Sequence, residues 1–131
     1  MPAPAAVPIP DNLSAGQAAG LVQSYATMLY ALTRRTTVSD GEWFAVLGAG
    51  GGIGLAAVDV ARALGARVVA CASSDDKLAL ARAAGAAATV DDEAAGVDLK
   101  TAIREATGGG ADAVVDPIGG PKAEPAVRSS P

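Results

Sequence analysis

Histidine is absent from this chain of 131 residues, and cysteine occurs once, at Cys71. The first absence removes the commonest general base and with it any Ser/His/Asp arrangement. The two together exclude a disulfide framework and leave almost no means of building an ordinary zinc site from Cys and His. Aromatic residues make up only 3% of the chain; Tyr25 and Tyr30 fall in helical patterns where packing accounts for them. Positive charge is not in excess. The net charge is −4, which argues against a broad nucleic-acid surface, because such surfaces need clustered Lys and Arg. No apolar run reaches the roughly 18 residues expected of a membrane span. Met1 is followed by Pro2, Ala3 and Pro4, not by a basic patch and an apolar core, so no secretory leader is expected. A reduced, cytoplasmic setting follows as the expectation, with no membrane and no nucleic acid as partner.

What is present is small and apolar. Half of the residues are hydrophobic, and alanine, valine and glycine supply most of the apolar content. Side chains of that size suit closely packed layers of helices on a parallel sheet, and the length suits one domain. The chain opens with Pro2, Pro4, Pro8 and Pro10, an extended lead-in over residues 1–14. Ser14 is the candidate cap of a helical segment over 15–21, and a second helical stretch runs over 24–34. From Trp43 the pattern alternates between strand and helix. Strands are expected at 43–47, 67–72, 88–90 and 111–116. Helices are expected at 53–64, from Ser73 or Ser74 to Gly85, and at 99–107. On the first of these three helices Ile53, Ala57, Val60 and Leu64 form one apolar face. Residues 121–131 are polar and Pro-rich and give no further strand. The alternation implies an α/β, Rossmann-type, doubly wound parallel sheet with right-handed crossovers.

The most informative segment is Val46-Leu47-Gly48-Ala49-Gly50-Gly51-Gly52-Ile53-Gly54. A strand that turns sharply into a helix leaves backbone N–H groups converging on one spot, where they and the helix dipole attract phosphate. Gly48, Gly51 and Gly54 recur at every third residue. Glycine at these positions permits the tight turn, the approach of a pyrophosphate and close packing of helix on strand. A glycine-rich turn alone is a weak signal. A strand before it, a helix after it and a second strand at the expected distance make it a dinucleotide-site candidate. The second strand ends Ala70-Cys71-Ala72-Ser73-Ser74, with no carboxylate to bond a ribose hydroxyl. That small neutral end admits a 2′-phosphate, which Ser73, Ser74 and Lys77 can bond; the plainer reading makes the serines helix caps and the lysine a surface charge. The missing carboxylate also argues against a methyltransferase. Asp116, Pro117 and Ile118 lie past the fourth strand, on the edge where ligands of open parallel sheets bind, or else they form an ordinary turn. Cys71 reads as a small core residue, and no catalytic side chain stands out.

Several segments taken together resemble one family. They are Ile9 to Ser14, Ser24 to Leu32, Ser39 to Glu42, the glycine turn, Ala63 to Val68, Ser73 to Leu78, Ala84 to Ala86, Thr107 to Gly109 and Asp116 to Gly120. In order and spacing they resemble the quinone oxidoreductase and zeta-crystallin branch of the medium-chain dehydrogenase/reductase superfamily. The resemblance implies hydride transfer to a quinone or activated alkene, dependent on NADPH in preference to NADH and independent of zinc. It implies that Gly48, Ala49, Gly50, Gly51, Gly52, Ile53 and Gly54 hold the pyrophosphate. Ser73 and Lys77 would then meet the 2′-phosphate, and Thr27 would lie near the nicotinamide. Where the family often has a tyrosine near the adenosine phosphate, this chain has Asp91 and Asp92, and a carboxylate there repels phosphate. Full-length relatives are expected to be homo-oligomers with a separate substrate domain. Against that pattern the chain reads as a fragment, with a partial dinucleotide-binding domain at 15–127, a sheet of about four strands, a disordered tail at 128–131 and no substrate domain. Alone it would bind cofactor and turn over nothing, and the alternative is a non-catalytic nucleotide-binding remnant or module. Val114 and Val115 would then lie on an open edge that invites association.

Overall fold

A computed structural model describes residues 6–131. The first five residues, with Pro2 and Pro4 of the expected lead-in, lie outside it. Residues 6–14 are turns and irregular chain that end at Ser14. There the Ser14 hydroxyl accepts the Gln17 N–H, and the Gln17 side chain accepts the Ser14 N–H in return. This reciprocal pair starts α1 (Ala15–Tyr30). The two helical stretches expected from the sequence are one. α1 runs unbroken through Val22 and Gln23 and continues into a π-helical turn at Ala31–Arg35. No proline and no left-handed glycine interrupts it, so each N–H keeps its acceptor in the preceding turn.

The alternating part follows as β1 (Trp43–Leu47), α2 (Gly52–Ala63), β2 (Arg67–Ala72), α3 (Asp75–Ala84), β3 (Ala88–Asp91), α4 (Leu99–Thr107) and β4 (Ala113–Val115). All strand pairs are parallel, in the spatial order β3-β2-β1-β4. The α/β architecture is therefore the one the alternation implied, with four strands. β4 is shorter than the strand expected at 111–116. Asp112 accepts the Trp43 N–H at 2.8 Å, and the Asp116 carboxylate turns back to accept the Ile118 and Gly119 N–H groups at 2.9 and 2.8 Å. Both aspartates thus serve turns instead of the ladder.

Successive residues of a strand face opposite sides, and here both sides are covered. Phe44, Val46, Val68 and Ala70 join the core under α1 and α2, whereas Ala45, Leu47, Val69 and Cys71 join the core under α4. α2 is buried more widely than its expected stripe. Ala56, Ala57, Val58, Val60 and Ala61 are all buried, while Ile53 and Leu64 are only half-buried. The reason is that α1 packs on the side of α2 that a simple two-layer reading leaves to water.

The end of the chain departs from the expectation of a polar tail. Residues Gly120–Lys122 form a 3₁₀ turn that leads into α5 (Ala123–Val127), with Pro125 tolerated in its first turn. Ala126 and Ser129 are fully buried. Arg104 of α4 donates to the Ser130 carbonyl at 2.7 Å, so within the segment 128–131 expected to be disordered Ser129 is buried and Ser130 is tied to α4, while Arg128 and Pro131 stay exposed. Among the described residues no helix is long and apolar enough to cross a membrane.

Candidate functional site

The strand order reverses between β1, which continues to β2 and β3 on one side, and β4 on the other. In open parallel sheets this reversal opens a crevice at the carboxyl ends of the strands. The glycine turn stands in it. Gly48 takes φ +61°, the left-handed region that a side chain strains to adopt. Ala49 is buried, and its N–H donates to the Cys71 carbonyl at 3.1 Å, tying the turn to β2. Gly51 donates to the Gly48 carbonyl at 3.1 Å and begins α2 in extended geometry. A Cβ on Gly54 would strike the Gly48 carbonyl, whereas one on Gly51 would find only that oxygen, at 3.6 Å. Gly48 therefore serves the turn, Gly54 serves close packing, and Gly51 leaves open space at an exposed position.

The start of α2 has no capping side chain and no acidic residue in its first turn. The first N–H groups of a helix lack acceptors within it. Ser14 satisfies that need in α1, and Ser74 does so in α3 by accepting the Lys77 N–H. In α2 the corresponding groups are left to an external acceptor, at the positive end of the helix dipole.

These groups border a cleft of about 430 Å³. Gly48, Gly50, Gly51, Gly52, Ile53 and Gly54 line one wall; Ser73 and Lys77 line the second; Pro117 and Ile118 line the third. Lys77 Nζ donates to Ser73 Oγ at 3.3 Å, so the two sit together at the end of β2. Four of the expected residues have other places. Ala49 is in the core. The Ser74 hydroxyl caps α3. The Asp116 carboxylate shapes the loop that carries Pro117 and Ile118. Thr27 is exposed on α1 and donates to the Gln23 carbonyl at 2.6 Å.

Three lining residues were not among those expected to bind cofactor: Ala72, Asp92 and Lys122. Asp92 follows β3 directly and is one of the two carboxylates that the resemblance set near the adenosine phosphate. Lys122 carries no local signal, because only the path of the chain through β4 brings it across the sheet. Its ammonium lies 3.0 Å from Asp92 Oδ1 and also bonds Glu93. Those bonds, to Glu93 first and then to Asp92, raise its pKa. Below the cleft, burial pushes the Cys71 thiol up to about 12, with Asp92 adding to the effect and Lys122 opposing it.

Among the described residues no three of His, Cys, Asp and Glu are grouped to hold a metal ion. With no histidine in the chain and the one thiol buried and held neutral, these residues do not form a zinc ligand set.

A family model described as zinc-binding dehydrogenase matches residues 52–130. Quinone oxidoreductase-like protein 2 of Bos taurus is 40% identical over 123 residues, covering 92% of this chain and 35% of its own length. The crystal structure of Escherichia coli quinone oxidoreductase complexed with NADPH superposes with a TM-score of 0.84 at 28% identity, over 95% of this chain and 38% of that one. An NAD-dependent alcohol dehydrogenase superposes with a TM-score of 0.87 at 36% identity, over 95% and 36%. The chain thus spans about a third of the length of the relatives it matches.

Proposed function

This chain belongs to the zinc-binding dehydrogenase family, in the quinone oxidoreductase-like branch of the medium-chain dehydrogenase/reductase superfamily, and from that premise we propose that its cleft binds a nicotinamide dinucleotide, NADPH in preference to NADH, for a quinone or enone reductase. A reduced nicotinamide, when bound, supplies the hydride for an electron-poor carbon. The chain's own residues bind and orient it. The N–H groups at the start of α2 hold the pyrophosphate, and Gly51 and Gly52 let it approach the backbone. Ser73 and Lys77 hold the 2′-phosphate, while Pro117 and Ile118 border the opposite end. The observation that carries this reading is the uncapped, glycine-lined start of α2, which opens into the same cleft as the neutral end of β2.

The 131 residues are expected to bind cofactor and, unaided, to reduce no quinone. Calorimetric titration of the chain with NADPH, NADH and S-adenosylmethionine tests the reading. NADPH should bind best, and tight binding of S-adenosylmethionine would overturn the assignment. Gly51→Val should abolish nucleotide binding, and because the space around Gly51 is open the variant should keep the wild-type circular dichroism. A folded variant with unchanged affinity would remove the pyrophosphate from this turn.

A further inference from the structure

The cleft carries a charge arrangement that a glycine turn does not require. Its lining includes two lysines, Lys77 and Lys122, and one carboxylate, Asp92. Asp92 is only 3% exposed, and the Lys122 ammonium lies 3.0 Å from it. The same ammonium bonds the exposed Glu93. Both acidic residues belong to the loop after β3, whereas Lys122 ends the turn after β4. The ion pair therefore joins two loops that the sheet brings together over the end of β2.

NADPH and NADH differ by one phosphate of charge close to −2 near neutral pH. A fixed charge near the adenosine end acts on that difference and leaves the parts the two share almost untouched. Without Lys122, the cleft would present one lysine against one bare carboxylate and would be no better for a phosphate than for a hydroxyl. With it, the Asp92 carboxylate is paired and Lys77 is left to face a phosphate without a bare carboxylate in the lining.

We propose that Lys122 is a specificity-determining residue, which by pairing with Asp92 and Glu93 makes the adenosine end of the cleft accept a 2′-phosphate. This rests on the dinucleotide reading of the cleft. Lys122 acts there as a positioning and charge-balancing residue, not as a catalytic one.

The test measures NADPH and NADH dissociation constants by calorimetry on the full chain, for wild type and for Lys122→Met, Lys122→Arg, Asp92→Asn and the Asp92→Asn/Lys122→Met pair. Lys122→Met should weaken NADPH relative to NADH by roughly five- to tenfold, an effect that added salt reduces. Lys122→Arg should restore the preference. Asp92→Asn, which leaves Lys122 its Glu93 partner, should shift the ratio toward NADPH, and it keeps the proposal testable if Lys122→Met does not fold. The double variant should lie near wild type. Equal losses for both nucleotides, or an unchanged ratio in folded Lys122→Met and Asp92→Asn, would reduce the ion pair to a loop tie and overturn the proposal. A wild-type chain that binds neither nucleotide would instead overturn the reading beneath it, and this proposal with it.

Discussion

At the scale of single residues, the glycine turn separates functions that one motif runs together. Gly48 is needed for its backbone angle and Gly54 for its lack of bulk against a carbonyl, so both are constrained by the fold itself. Gly51 is not, which makes it the position where loss of binding reports on a ligand. Cys71 shows the opposite situation, a reactive group made inert. Burial, reinforced by Asp92, keeps its thiol neutral. The raised pKa stabilises the fold fully below about pH 8.5, where a free thiol begins to ionise. That stability is lost as pH climbs toward about 12, the folded value. Denaturant midpoints of wild type should fall across this window more steeply than those of Cys71→Ala, and a disulfide reagent should label Cys71 only after unfolding. Ready labelling of the native chain would show the thiol to be accessible.

At the scale of elements, the starts of three helices are treated differently by the sequence. α1 has Ser14 and Gln17; α3 has Ser74 with Asp75 and Asp76 in its first turn; α2 has only glycine. The capped helices are complete within the protein, and the uncapped one has donors to spare. Two adjacent serines divide the same way, since Ser73 lines the cleft and Ser74 satisfies α3. Ser74→Ala should cost about 1 kcal/mol in urea unfolding, the usual loss for a cap, with NADPH affinity of the folded chain unchanged. A variant that kept its stability but lost affinity would return Ser74 to the cofactor.

At the scale of the whole molecule, the sheet ends at β4. That strand pairs with β1 on one side, and among the described residues no strand pairs its other side. Val114 and Val115 are half-buried there, beside a hollow of about 310 Å³ lined also by Ala31, Leu32 and Phe44. Unpaired backbone groups next to an apolar hollow invite another strand. Sedimentation of the 131-residue chain should show association that grows with concentration. A strictly monomeric, cooperatively melting chain would contradict this.

The strands, the three crossover helices and the glycine turn were legible from local chemistry. β1 and β2 are continuous apolar runs because both faces of a parallel sheet are covered, and Gly51, Ser74, Gly85 and Gly108 stand at ends of the crossover helices. The union of the first two helical stretches was less legible, because nothing near Val22 and Gln23 marks either a break or its absence. The packed end of the chain was hidden too, since Ala126 gains its burial in a core it shares with Leu99 and Ile103 of α4, distant in sequence. By itself, then, the sequence determined the α/β class, the alternation of strands and helices from Trp43 to the fourth strand and the glycine bend, all of which depend on residues close together in the chain. Tertiary structure alone decided which of the expected residues share the cleft, and that Lys122 meets Asp92 across it. Charge acts through space, and a sequence separation of 30 hides a 3.0 Å contact.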